Sequence, residues 1–233
     1  MRTTTFGPTR RGLAAAATVG LLALPLAAFS NDTDAVAPAS ASSVSAQDSQ
    51  RSEAPKPVAS IPALSGEDTQ IALDQGFLDA LEQLELEPGV VEDAELEEGT
   101  LSFPITGGNV TVFEPGQVSP YVIGQVQHET SGLSLSTADT TVELTNFNVD
   151  PGASRVYGDV IVNGEEAVTS AYLFSLDGRT LQPLQTEGDQ AILQGTKVTI
   201  SDVAAPLLND TFGTDAVEPG LLVGVATITV NTK

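Results

Sequence analysis

The chain has 233 residues, with 31 Asp and Glu against nine Lys and Arg, one His, one Met, no Cys and no Trp. Without Cys, disulfide scaffolds, thiolate zinc sites, iron–sulfur clusters and thiol catalysis are all excluded. A formal charge of −22 argues against DNA or RNA as a partner, and a hydrophobic fraction of 41% is enough for a packed core.

Residues 1–30 carry Arg2, Arg10 and Arg11, no acid, and an apolar Ala- and Leu-rich run that ends in Ala28-Phe29-Ser30. That three-part pattern predicts a cleaved secretory signal peptide. Cleavage would remove three bases and no acid, leaving six bases against 31 acids, or −25. Residues 31–66 are rich in Ala, Ser and Pro with neither helical nor strand periodicity, and read as a disordered spacer. The last segment apolar enough to consider as a span, Leu221 to Val230, is short and contains Gly224 and two Thr, so no membrane span is expected after cleavage.

From Thr69 the pattern changes. Ile71 and Leu73 alternate with polar residues as a strand, and Asp74 is placed to cap a helix whose apolar face is Phe77, Leu78, Leu81 and Leu84. Pro88-Gly89 is expected to close that helix. An acidic run from Glu82 to Glu98 spans this end of the helix and holds eight carboxylates, and a strand from Leu101 to Ile105 follows. Hairpin turns are expected at Gly107-Gly108, Asn163-Gly164 and Asp177-Gly178. Further strands are predicted at 121–127, 133–135, 141–149, 155–162, 167–174, 190–193, 197–200 and 222–230.

Residues 69–74 and 196–201 each lead through a short helical segment to Glu-Pro-Gly and another strand. A strand–helix–loop–strand unit at each end argues for one domain over 67–233, because chain ends often pack together. The fold class expected is mainly β: an antiparallel β-sandwich or partly open barrel with two short helices.

The single His lies in Gln125-Val126-Gln127-His128-Glu129, sharing a strand face with Gly124 and Val126, before an expected turn at Ser131-Gly132. A neutral imidazole there is a candidate ligand for a metal or haem iron, or a hydrogen-bonded strand-end residue. The run Val126 to Leu135, with Asn146-Phe147-Asn148-Val149 and Tyr157-Gly158-Asp159-Val160, resembles the HtaA-type domain of secreted and cell-wall proteins of Gram-positive bacteria. The strand followed by Ala204-Ala205-Pro206-Leu207-Leu208-Asn209 and Phe212-Gly213 is similar too, and the resemblance spans about residues 100–230. It implies a cell-envelope β-domain, and in the family's haem-binding members an aromatic hydroxyl works with a His, to which His128 corresponds. The chain offers three tyrosines for that hydroxyl, Tyr121, Tyr157 and Tyr172.

Asn146, Asn148 and Asp150 alternate like the start of a calcium loop. An EF-hand would need Gly and Glu where Pro151 and Tyr157 stand, so they read as the polar side of a strand entering a turn. No nucleophile elbow, HExxH, P-loop or dinucleotide fingerprint is present. The expectation is therefore an exported, acidic, non-enzymatic binding or interaction module, secreted or in the cell envelope, monomeric, with no predicted cofactor. Its metal ligands are unknown, and its surface or extracellular partner is unnamed. Haem or metal binding through His128 and a glycan-active hydrolase with a carboxylate pair are the alternatives.

Overall fold

The structure, a computed structural model, describes residues 54–232, which lie in one compact unit. The expected signal peptide and most of the expected spacer lie outside the described residues.

The order of elements is β1 (Ala59–Ile61), β2 (Asp68–Leu73), α1 (Gln75–Gln83), β3 (Glu87–Glu92), β4 (Glu95–Glu97), β5 (Thr100–Pro104) and β6 (Gly107–Val112). Then follow β7 (Val122–Ser136), β8 (Thr141–Asp150), β9 (Arg155–Val162), β10 (Glu165–Asp177), a 3-10 turn (Gly178–Thr180) and β11 (Gln185–Glu187). β12 (Gln190–Ile200), α2 (Ala204–Phe212) and β13 (Leu222–Asn231) complete the chain. All thirteen strands belong to one antiparallel sheet, ordered β1-β6-β7-β8-β9-β10-β12-β13-β2-β5-β4. β3 extends alongside the second half of β7, and β11 alongside the first half of β12. The sheet curls into a half-barrel, so of the two expected forms the partly open barrel is the one present.

Both terminal strand–helix–strand units form, and β13 pairs with β2 from Gly224 against Leu73 to Ile228 against Thr69. The Asp74 carboxylate accepts from the Gly76 N–H at 2.9 Å and starts α1, whose Phe77 and Leu81 are buried. Gly213, with φ of 66°, ends α2 in the left-handed conformation glycine favours. Asn163 and Gly164 both have positive φ, 52° and 80°, and join β9 to β10 as a two-residue hairpin.

Four local expectations are corrected. Gly107-Gly108 do not turn a hairpin: β5 pairs with β2 and β4, while β6 pairs with β1 and β7. Gly108 lies inside β6 because a Cβ there would sit 2.1 Å from the Gln125 carbonyl oxygen. Pro88-Gly89 lie within β3, α1 having already ended at Leu84. Asp177-Gly178 open a 3-10 turn, which carries Leu181 toward the interior before β12 returns. β7 runs straight past Ser131-Gly132, with a bulge between His128 and Gly132 in place of a turn. The fold also begins before residue 67: β1 pairs with β6, and Leu64 is buried.

Bulges set the curl. Thr130 on β7, Asn146 on β8 and Ser170 on β10 have φ of 64°, 54° and 50°, and each adjoins a register shift. The Asn146 side-chain carbonyl accepts from the Thr130 N–H at 3.0 Å, and Asp159 accepts from the Ser170 N–H at 2.8 Å. The Asn146 amide donates to Asp159 at 2.8 Å and joins the two. A row of side chains thus satisfies the backbone groups that the bulges release. Among the described residues no helix is long and apolar enough to cross a membrane.

Candidate functional site

The concave side of the half-barrel is not filled by its own side chains. A cavity of about 540 Å³ remains, within the range of pockets that bury small organic ligands. Ile71, Phe174, Leu176, Leu181, Leu193 and Ile228 line it, and each stays only half-buried. These are apolar side chains that the fold turns inward yet leaves uncovered.

His128 lies at the floor. The alternation that puts Val126 inward puts His128 inward as well, and its residue is 1% exposed. Nδ1 stands 3.3 Å from the Phe147 carbonyl oxygen, and Nε2 stands 2.7 Å from Thr69 Oγ1. A carbonyl only accepts, so Nδ1 carries the proton of the neutral ring and Nε2 accepts from the Thr69 hydroxyl. Both ring nitrogens are satisfied inside the fold. Burial pushes the imidazole down to about 4 from an ordinary 6.5, against smaller opposing effects of the Phe147 carbonyl and Asp68.

Rings continue from His128 across the floor. Phe103 meets His128 edge-on at 6.4 Å, Phe147 meets Phe103 at 5.3 Å, and Phe174 meets Phe147 at 6.0 Å. Few aromatics are present, but β5, β8 and β10 collect three of them in one file.

Of the three tyrosines, Tyr121 alone lines the cavity. Tyr157 and Tyr172 do not line it; Arg155 stacks 4.5 Å from the Tyr172 ring centre and reaches the Tyr157 hydroxyl at 3.4 Å. The hydroxyl against His128 therefore belongs to Thr69, an aliphatic residue 59 positions away. Sequence reading missed Thr69, whose only signal is a Thr in the inward phase of a strand that also points Ile71 inward.

At the other end of the lining is an exposed ion pair. Arg179 Nε and Nη2 each donate to Asp177 at 2.9 Å, and the pair holds the Asp177 carboxyl below its usual range. Among the described residues Asp177 is the sole carboxylate in the lining. Glu82, Glu85 and Glu87 border a second, shallower cavity beside α1, where all three are exposed. Among the described residues no three His, Asp or Glu side chains gather to hold a metal. Of the calcium-like set, Asn146 serves the bulge row and Asp150 accepts from the Ala153 N–H at 2.8 Å to shape a turn.

The fold and cavity together define a half-barrel β-domain with an apolar chamber and one buried polar pair at its floor. No family model matches the chain, and no curated protein does. Among solved structures, the C-terminal domain of HtaA from Corynebacterium glutamicum is similar with a TM-score of 0.52 at 11% identity, covering 72% of this chain and 98% of that one. The domain-swapped dimer of a variant of that domain gives 0.44 at 11% identity, covering 67% of this chain and 90% of that one. The first likeness is one of fold, and it is the fold that the sequence resemblance implied.

Proposed function

We propose that this chain is a non-enzymatic binding module of the cell envelope or extracellular space that holds a small apolar molecule inside its half-barrel. The observation that carries the reading is the cavity of about 540 Å³ lined by half-buried Ile71, Phe174, Leu176, Leu193 and Ile228. Covering those side chains with a ligand removes apolar surface from water, at about 25 cal/mol per Å². One carboxylate in the lining, already paired with Arg179, leaves no carboxylate pair among the described lining residues and supports a binding role over glycan hydrolysis. Export rests on the N-terminal pattern, and the acidic surface disfavours nucleic acid and anionic membranes.

The test is a neutral fluorescent apolar probe, N-phenyl-1-naphthylamine, titrated against the full chain. Saturable enhancement is expected, and it should vanish in Ala226→Leu, which adds side-chain volume to the lining while the thermal transition persists. Absence of saturable enhancement, or enhancement that the substitution leaves untouched, contradicts the reading.

Haem binding through His128 is the second reading, favoured by the position of His128 in the lining. The residues do not reproduce the pairing that the resemblance implies, since Thr69 supplies the hydroxyl at Nε2. A haem titration decides it: no Soret shift, or the same shift in His128→Ala, removes this reading.

A further inference from the structure

We infer that the ligand is uncharged: an apolar body carrying a hydroxyl or carbonyl oxygen, which the Tyr121 hydroxyl holds at the rim of the half-barrel. The inference rests on the apolar-ligand reading above and adds the chemistry of the head group.

The lining carries no net charge. Among the described residues Asp177 and Arg179 are the two charged side chains there, and they pair with each other. His128 is neutral, with its Nδ1–H on the Phe147 carbonyl and its Nε2 on the Thr69 hydroxyl. An ionised head brought inside would lose hydration and meet no unpaired counter-charge.

The polar groups of the lining stand at one end. The Ser154 carbonyl accepts from the Leu176 N–H at 2.9 Å, which sets the β8–β9 turn beside Asp177 and Gly178. That turn also adjoins Pro120, since a Cβ built on Gly152 would lie 3.7 Å from the proline ring. Thr180 Oγ1 accepts from the Lys197 N–H at 3.1 Å and brings Thr196 to the same end. Ser119, Pro120, Gly178 and Arg179 are exposed, so these segments form a rim, and Tyr121 belongs to it. His128, further along β7, is buried at the floor with Phe103 and Phe147.

Which hydroxyls are already in use singles out Tyr121. Tyr172 Oη pairs with Ser175 Oγ at 2.6 Å, and Tyr157 Oη accepts from Arg155 at 3.4 Å. The Thr180 and Ser201 hydroxyls donate to backbone carbonyls at 2.7 Å and 2.6 Å. Among the described residues the hydroxyls of Tyr121, Ser154 and Thr196 have no such partner, and all three residues are half-buried in the lining. The tyrosine with the unused hydroxyl is thus the one that faces the chamber. A phenol both donates and accepts, so it suits a ligand hydroxyl or carbonyl, and one placed polar group in an apolar pocket is enough to fix orientation.

Displacement of N-phenyl-1-naphthylamine from the full chain by butylbenzene, 4-phenylbutan-1-ol, 4-phenylbutanoate and 4-phenylbutylammonium tests this with the body held constant. One hydrogen bond corresponds to about two- to tenfold in affinity. Tyr121→Phe should therefore raise the concentration of 4-phenylbutan-1-ol needed by about two- to tenfold and leave that of butylbenzene unchanged. In the unaltered chain both charged competitors should be needed at higher concentration than the alcohol. A charged competitor that matches the alcohol overturns the inference while the apolar reading stands. So does a Tyr121→Phe chain in which alcohol and butylbenzene shift alike, or in which neither shifts. Failure of the probe itself to bind removes that reading and the inference with it.

Discussion

Acid should destabilise this domain through one identifiable proton site. His128 titrates at about 4 in the folded chain, chiefly because burial disfavours its charged form, and at about 6.5 once unfolded. Between those values the unfolded state binds more protons than the native state, so stability rises with pH across the window. The contribution is fully present above pH 6.5, falls away as pH drops, and is gone below about 4. A lowering from 6.5 to about 4 corresponds to about 3 kcal/mol, at up to about 1.4 kcal/mol per pH unit in mid-window. The perturbation that isolates it is His128→Gln, which keeps a polar group facing Thr69 and does not titrate. Urea unfolding of both proteins from pH 4 to pH 8 should give a stability difference that changes by about 3 kcal/mol, with carboxylate titration common to both cancelling. Because His128 is the single His in the chain, its imidazole resonance follows the same proton directly. Parallel pH profiles for the two proteins, or an imidazole midpoint near 6.5 in the folded chain, would refute the burial argument.

Other expectations follow from particular contacts. Thr69→Val should cost about 1–3 kcal/mol in urea unfolding, since it leaves Nε2 of a buried imidazole without a donor, whereas Thr69→Ser should recover most of that loss. Gly108→Ala should lower the denaturation midpoint by more than Gly164→Ala. The first places a Cβ 2.1 Å from a backbone oxygen at φ of 119°; the second meets nothing within 4 Å and carries only the left-handed penalty of about 1–2 kcal/mol. Equal costs would contradict the close-approach account of Gly108. Asn146→Ala should cost about 1–3 kcal/mol, because it strips the partner of the Thr130 N–H and leaves a Cβ-bearing residue other than Asn at positive φ. A neutral result in thermal melts would show that solvent replaces that partner. Leu173→Ala, at a position with 0% exposure, should lose about 2–5 kcal/mol.

The sequence reading succeeded where the signal is local. Asp74, three residues before an apolar i, i+1, i+4, i+7 face, starts a helix because the cap and the buried stripe are both encoded within eleven residues. Asn163-Gly164 turns a hairpin because both residues tolerate positive φ, and the β8 and β9 alternations show their buried faces directly. It misread the glycines whose reason is distant. Gly107-Gly108 carry the same letters as a hairpin, yet the demand at Gly108 comes from the backbone of β7, seventeen residues on. Pro88-Gly89 likewise resembles a helix stop and instead sits in β3, because its pairing with β7 outweighs the local turn preference. Ser131-Gly132 carries the letters of a turn, yet the demand at Gly132 comes from β8, since a Cβ there would sit 2.3 Å from the Leu144 carbonyl oxygen.

The candidate site divides along the same line. That His128 faces inward with Val126 follows from the period of two in a strand, which any reader of the chain can count. That the hydroxyl at its Nε2 belongs to Thr69, and that six apolar side chains are turned inward without being covered, depends on how far a thirteen-stranded sheet curls. The curl comes from bulges and cross-strand side chains spaced tens of residues apart, whose pairing is a property of the closed sheet. Composition determined an acidic chain with one imidazole, and strand alternation with turn signals determined its mostly β character. Only the tertiary structure decided that the imidazole would be silenced at the floor of a chamber and that the Asp177–Arg179 ion pair would stand in its lining. Burial and charge proximity are set by distances through space, and those exist only once the strands have paired.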